Sequence, residues 1–235
     1  MKRRSFLQVL SLYAFILTNK LYACETSVFF NKRKSNKAQK ASTGTRLCFI
    51  GIGGGATNIL EDISKMDARS IMIHMNTDSE SLKLKKSGKK ILLNNETALG
   101  CGSDINCGKK SVTKEVKNQL KILTKNIDKV YVIATLGGGV SSGATPEIVK
   151  YLKLTLNKTV VVFSIMPFSF EGNKRLEIAN KSKDKIEMYT NEHFTLENDS
   201  LLNKRFSQGV KACFLGMSKR VYRMVKTIEK EEHLS

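Results

Sequence analysis

Lys129-Val-Tyr-Val-Ile-Ala-Thr-Leu-Gly-Gly-Gly-Val-Ser-Ser-Gly-Ala-Thr-Pro-Glu147 is the stretch that decides the fold. Val130 to Ala134 is an apolar, β-prone run and reads as a strand buried on both faces. It runs into Gly137, Gly138, Gly139 and Gly143, with Val140, Ser141 and Ser142 between the last two. Pro146 and Glu147 suit the first turn of a helix that continues through Ile148, Val149, Tyr151 and Leu152. Strand, glycine loop and helix start make an anion-binding arrangement. Glycines let backbone N–H groups approach a phosphate, hydroxyls add donors, and the helix N-terminus adds partial positive charge. Each glycine costs conformational entropy on folding, so a purely structural turn rarely needs three in a row.

Working outward, Arg46-Leu-Cys-Phe-Ile-Gly-Ile-Gly-Gly-Gly-Ala-Thr-Asn58 repeats the pattern. A strand is expected over about residues 46–52, a turn at Gly53, Gly54 and Gly55, and a helix from Asn58. Gly51-x-Gly53-x-x-Ala56 also satisfies the dinucleotide fingerprint, a weak signal by itself. Ser70 to Met75 reads as the next strand, with His74 a strand residue and Asn76-Thr-Asp78 at the rim where open α/β sheets bind ligands. Thr97 to Asp104 is a third glycine-containing loop. Ser111 to Leu123 and Leu176 to Met188 show helical spacing, Thr159 to Ile165 is a further buried strand, and Val210 to Ile228 is a long amphipathic helix with a basic face. Strands alternating with helices predict a doubly wound, mostly parallel α/β sheet. Strand ends in such a sheet share one rim, so separate glycine loops can converge on a ligand with several phosphates. No G-x-x-x-x-G-K-[ST] occurs, which excludes the P-loop class.

The chain has 235 residues and a formal charge of +19. Residues 1–46 carry +9 of this and the remainder +10. On the body this reads as lysine bias on solvated faces, and no aromatic residues interleave with the basic ones as in a nucleic-acid surface. The five cysteines, Cys24, Cys48, Cys101, Cys107 and Cys213, form no C-x-x-C, and the three histidines are isolated. Neither a zinc site nor a disulfide framework is expected, and a reducing compartment is the simplest setting.

Residues 1–45 are set apart from the fold. Met1-Lys-Arg-Arg4 is followed by an apolar run, Phe6 to Leu17, too short to span a bilayer. Leu21-Tyr-Ala-Cys24 looks like a cleavage region, and Thr26 to Arg46 has transit-peptide composition. A signal-like run before a transit-like run predicts import into an organelle, with the plastid stroma as the expected destination. A basic tail behind a short buried helix is the plainer alternative, with the cytoplasm then the location. The mature domain holds no expected transmembrane segment.

Residues 46–228 resemble FtsZ, the prokaryotic and plastid relative of tubulin. The family's central motif is G-G-G-T-G-T/S-G, and Gly137-Gly-Gly-Val-Ser-Ser-Gly143 is similar to it. The likeness extends in family order through Gly51–Asn58, Asn76–Asp78, Leu99–Gly102, Pro167–Arg175 and Asn198–Leu202. The resemblance implies GTP binding with Mg2+, and assembly with itself or with full-length FtsZ-like subunits into a division ring. By match, Gly53, Gly54, Gly55, Ala56 and Asn58 approach the phosphates. Gly137, Gly138, Gly139, Val140, Ser141, Ser142 and Gly143 cradle them. Glu171, Arg175 and Asn198 face the ribose, and Phe214 takes the place of an aromatic ring on the base.

The departures are specific. Val140 stands where the motif has threonine, and Ser141 where it has glycine, which narrows the loop. Ser218 and Lys219 stand where the family carries Asn and Asp for the guanine edge, and a lysine cannot accept from guanine N–H groups. The 235 residues stop before the family's acidic catalytic loop and C-terminal domain, so self-stimulated hydrolysis is expected to be weak or absent. Two other readings stay open. One is a Rossmann-type dinucleotide oxidoreductase using Gly51-x-Gly53-x-x-Ala56 with Asp78. The other is a nucleotide-free interaction protein that caps a full-length relative.

Overall fold

The computed structural model describes residues 47–93, 100–201 and 210–234, all within one compact unit spanning Lys37–Ser235. The expected targeting segment lies outside the described residues, as do Thr97 to Leu99 of the third glycine loop and Leu202.

Six strands make one sheet: β1 (Cys48–Ile52), β2 (Ile71–Asn76), β3 (Lys89–Leu92), β4 (Lys129–Thr135), β5 (Thr159–Met166) and β6 (His193–Glu197). Their order is β3-β2-β1-β4-β5-β6 and every pair is parallel. The expected doubly wound sheet is therefore present. The strand order reverses between β1 and β4, and ligands of open α/β sheets bind outside the strand ends at such a switch point.

The helices are α1 (Gly54–Met66), α2 (Ser79–Lys83), α3 (Ile105–Lys110), α4 (Lys114–Leu123), α5 (Gly139–Lys150), α6 (Asn173–Glu187) and α7 (Val210–His233). Alternation along each strand sends side chains to two separate cores. Ile50, Ile52, Ile73, Val130, Val132, Val160 and Val162 pack on one face against Val116 and Leu120 of α4, Ile148 and Val149 of α5, and Ala179 and Ile186 of α6. Phe49, Tyr131, Ile133, Val161 and Phe163 pack on the other against Ile59, Leu60 and Ile63 of α1 and Met217, Val221 and Val225 of α7. Each large apolar side chain buried in this way contributes about 1.5–3 kcal/mol.

A ladder of rings crosses the second face. Phe49 stacks on Tyr131 at 5.5 Å, Tyr131 on Phe163 at 6.4 Å, and Phe163 on Phe194 at 5.3 Å. The pairs tie β1, β4, β5 and β6 together, each adding about 0.5–1.5 kcal/mol beyond its buried area.

Three local expectations are corrected. The helices after the glycine loops begin earlier than the sequence suggests: α1 starts at Gly54, not Asn58, and α5 at Gly139. Gly53 (φ +85°) and Gly137 (φ +98°) alone make the turns, in left-handed conformations that a Cβ disfavours. Gly54, Gly55 and Gly139 are already helix, Gly138 is the extended N-cap of α5, and Pro146 lies inside α5 rather than opening it. The run Ser111 to Leu123 holds only α4, because Thr113 stops the pattern by capping it; its hydroxyl accepts from Val116 N–H.

The third correction is a disulfide, Cys101–Cys107. Asp104 N–H donates to Cys101 C=O at 2.9 Å, and the Asp104 carboxylate caps α3 by accepting from Asn106 N–H at 2.8 Å. This tight turn brings the first turn of α3 back to Cys101, with the Cα atoms 5.6 Å apart. A six-residue separation matches no cysteine spacing motif, so the pairing was not legible from the sequence.

Candidate functional site: a glycine-lined cleft at the switch point

A cleft of about 320 Å3 lies at the C-terminal ends of β1 and β4, where the sheet order reverses. Two helices start there. In α1 the first intrahelical bond runs from Thr57 N–H to Gly53 C=O at 3.0 Å, and in α5 from Ser142 N–H to Gly138 C=O at 3.0 Å. The N–H groups of Gly54, Gly55 and Ala56, and of Gly139, Val140 and Ser141, thus have no acceptor within their own helices. Gly139 N–H donates to Gly102 C=O at 2.8 Å. Both helix N-termini bring partial positive charge to the cleft. Because these donors are backbone groups, the valine at position 140 removes a hydroxyl but not the N–H.

The two loops are fastened to each other. Ser141 Oγ donates to Ile52 C=O, at the end of β1, and the site where a Gly53 Cβ would sit lies 2.8 Å from the same hydroxyl oxygen. Ser141 thus fills the space between the loops, as its expected narrowing effect implies. Gly137 N–H donates to Ser142 Oγ at 2.9 Å, which closes the second turn from within.

The far wall comes from the segment after β5 and from α6. Glu171 accepts from Phe168 N–H at 2.9 Å and pairs with Arg175 one helical turn later. Arg175 and Glu171 are the cation and the anion among the described lining residues. Asn198, 6 % exposed, comes from the turn after β6. Phe214 of α7 stands edge-on to Phe168 at 6.4 Å and closes the cleft with an aromatic surface.

Of the residues singled out in the sequence, the cleft brings together Gly53, Gly54, Gly55, Gly138, Gly139, Val140, Ser141, Glu171, Arg175, Asn198 and Phe214. Five others stand behind or beside the lining. Ala56 is fully buried in the core between α1 and the sheet and does not line the cleft. Asn58 is exposed on α1 and accepts from Lys85. Gly137 and Ser142 hold the turn, and Gly143 packs against α3. Ser218 is buried with its hydroxyl 3.0 Å from Asp62 Oδ2 and from Phe214 C=O, and Lys219 is exposed; neither lines the cleft. Asp78 caps α2 by accepting from Ser81 N–H at 2.9 Å, and it too lies off the lining.

The lining also holds Thr135, Leu136 and Ile165, which the sequence did not single out, together with Asn76, which the sequence placed at the rim, and Gly102 and Pro167 from the segments similar to the family. Asn76 and Thr135 end β2 and β4. Their common signal is position: each is a polar residue closing an apolar parallel strand, on the rim where the loops meet. Among the described residues no cluster of His, Cys, Asp or Glu is arranged to hold a metal, and no helix is long and apolar enough to cross a membrane.

Comparison with known proteins agrees with this architecture. Residues 46–205 match the family model described as Tubulin/FtsZ family, GTPase domain. The cell division protein FtsZ of Helicobacter pylori is 31 % identical over 166 residues, covering 69 % of this chain and 43 % of that protein. The mitochondrial division protein fszB of Dictyostelium discoideum is 29 % identical over 161 residues, covering 67 % and 44 %. The chain therefore spans less than half the length of these relatives. Among solved structures, the empty FtsZ dimer of M. jannaschii superposes with a TM-score of 0.69 at 23 % identity, over 78 % of this chain and 54 % of that one. The GTPγS-bound protofilament of CetZ2 from Haloferax volcanii superposes with a TM-score of 0.67 at 22 % identity, over 75 % and 57 %. These two likenesses carry the fold, and the family match carries more: the chain belongs to the tubulin/FtsZ family and contains its GTPase domain.

Proposed function

We propose that this chain binds GTP in the cleft between β1 and β4 and works as a division protein that joins or modulates a filament. The observation that carries this reading is the convergence of two helix N-termini, α1 and α5, on one cleft at the switch point of a parallel sheet. The residues present suit a nucleoside triphosphate. Backbone N–H groups of Gly54, Gly55, Val140 and Ser141 would hold phosphate oxygens, and charge-assisted bonds of this kind contribute about 1.5–3 kcal/mol each. Glu171, Arg175 and Asn198 would meet the ribose, and Phe214 the base. The triphosphate supplies a terminal phosphoanhydride open to attack by water, and Mg2+ would be carried in by the phosphates.

Hydrolysis by the chain alone is expected to be slow. Glu171, the carboxylate among the described lining residues, is already engaged by Phe168 N–H and Arg175. A neighbouring FtsZ-like subunit would then supply the group that activates water. The basic, transit-like composition of residues 1–46 supports a plastid location for this activity, and a fluorescent fusion that stays outside plastids would overturn it.

Equilibrium binding of labelled GTP, ATP and NAD to the purified chain tests the site. Saturable GTP binding in the micromolar range, lost in Gly138→Val, is the expected result. NAD binding in preference to GTP would favour a dinucleotide enzyme, and no binding of any nucleotide would leave a purely interacting protein.

A further inference from the structure

The Cys101–Cys107 disulfide closes the turn that carries Gly102 of the cleft lining and packs directly against the glycine helix α5. Gly102 lines the cleft, and its C=O holds the N–H of Gly139, the first residue of α5. The contact continues along α3 and is backbone against backbone. A Cβ on Gly139 would lie 2.6 Å from Asp104 O, one on Gly108 would lie 2.1 Å from Gly139 O, and one on Gly143 would lie 2.1 Å from Ile105 O. At Gly139, Gly108 and Gly143 the two backbones meet without an intervening side chain, and the Lys109–Glu147 pair at 3.5 Å adds a side-chain tie further along, so a shift of the 101–107 turn is felt at the start of α5. The disulfide cross-links the two ends of that turn.

We propose that Cys101–Cys107 is a reversible thiol–disulfide site, that a dithiol reductant is its exchange partner, and that the closed form holds the cleft in its nucleotide-retaining shape. The proposal rests on the reading of this cleft as a nucleotide site. In exchange, a thiolate of the reductant attacks one sulfur, the Cys101–Cys107 bond breaks, and a mixed disulfide forms. The reductant's second thiol resolves it. Two electrons and two protons pass to the protein, which ends with two thiols, and the dithiol ends as a disulfide. Cys107 is the more exposed of the pair, with Cys101 8 % exposed, so attack at the Cys107 sulfur is the open route. Disulfides that form inside cells are commonly redox-sensing rather than structural, which suits a pair placed beside a binding site. Opening the ring returns freedom to the turn carrying Gly102. The short closed loop bounds the effect at well below a hundredfold, and about a tenfold weaker hold on nucleotide is expected.

The test compares the air-oxidised chain with the same chain reduced by dithiothreitol and with Cys101→Ser/Cys107→Ser. GTP affinity and amide hydrogen exchange at Gly139 are measured for each, and peptide mapping after alkylation reports the state of the pair. The expected result has two parts. The oxidised protein shows a blocked pair, GTP bound about tenfold tighter and a more protected Gly139 amide. The reduced protein and the double variant match each other, and the variant ignores dithiothreitol. Equal affinity and equal Gly139 exchange in the oxidised and reduced chain would overturn the proposal. So would a redox response that survives in the double variant. If neither form binds GTP, the nucleotide reading falls, and the Gly139 exchange still decides whether the disulfide controls the start of α5.

Discussion

Ser141 Oγ donates to Ile52 C=O, so the first turn of α5 is bonded to the last residue of β1. This buried bond joins the two glycine loops, and Ser141 is 4 % exposed. Ser141→Ala would leave the Ile52 carbonyl without this donor, at a cost of about 1–3 kcal/mol. Urea denaturation should show the loss as a lowered midpoint with unchanged slope, and GTP affinity should fall because the loops lose their common anchor. A midpoint equal to wild type would show that the bond contributes nothing.

Gly138 gives the cleanest probe of the cleft. A Cβ there meets no atom within 4 Å, and the backbone, at φ −99° and ψ 158°, is one that any residue adopts. Gly138→Val should therefore keep the fold, with stability within about 0.5 kcal/mol of wild type. Its side chain would enter the space assigned to phosphate, and GTP binding should drop at least tenfold. Gly139→Val is the contrast, since its Cβ would strike the Asp104 backbone and unfold the α3–α5 contact. Normal GTP binding by Gly138→Val would remove the phosphate from this loop.

The sheet was legible because strands buried on both faces read as unbroken apolar runs, as Val130 to Ala134 and Val160 to Phe163 do. The glycine loops were legible for a different reason, since consecutive glycines have few uses away from a ligand. What failed was the start of each helix. Gly54 and Gly139 read as turn residues by propensity, yet tertiary contact makes them the first turn of a helix, where a missing side chain admits a ligand or another backbone. The cleft's Gly102 and the disulfide beside it depend on a turn at Asp104 that brings together residues six apart, a relation that periodicity does not report. Thr135 follows from topology: its role appears only once β1, β2 and β4 are known to be parallel neighbours, whereas Asn76 is marked in the sequence by the polar triplet that ends its strand.

The Glu171–Arg175 pair separates binding from stability. Arg175 is half exposed, so the ion pair itself contributes at most about 1 kcal/mol. Glu171→Gln can still accept from Phe168 N–H and should leave thermal stability close to wild type. If Glu171 meets the ribose, GTP affinity should fall several-fold while the affinity for free inorganic triphosphate stays the same. Equal losses for both ligands would place Glu171 near the phosphates instead.

At the other end of the sheet, Glu229 of α7 accepts from the Tyr131 hydroxyl and pairs with Lys129 at 3.0 Å. Tyr131 is buried in the ring ladder, and burial together with the neighbouring carboxylate pushes its phenol above the usual range. Glu229→Ala would strand this hydroxyl and loosen α7, costing about 1–3 kcal/mol. Tyr131→Phe/Glu229→Ala should cost less than the sum of the two single changes, and a double-mutant cycle in denaturant measures the difference. Strict additivity would show that the bond carries no coupling.

The two buried histidines predict the acid limit of the fold. His74 faces Ser87 Oγ at 3.1 Å and Glu61 at 3.6 Å, and burial lowers it to about 4 despite Glu61, with Lys85 and Lys90 acting in the same direction as burial. His193 faces Ser164 Oγ at 2.7 Å, and burial, aided by Lys183, lowers it to about 4 as well. A histidine depressed on folding is neutral in both states above pH 6.5, so stability there is unaffected. Below pH 6.5 the unfolded chain takes up protons that the folded chain refuses, and stability falls until the folded pKa near 4 is passed. With two such groups, the slope between pH 6 and 5 should approach about 2.7 kcal/mol per pH unit, reduced by whatever protons Glu192 and Glu197, whose carboxyls burial raises, take up in the folded state over the same window. Urea midpoints measured at half-unit steps from pH 7.5 to 5 give this slope directly. A flat profile would mean that both imidazoles protonate within the folded protein, and that their burial is relieved by local opening of β2 and β6.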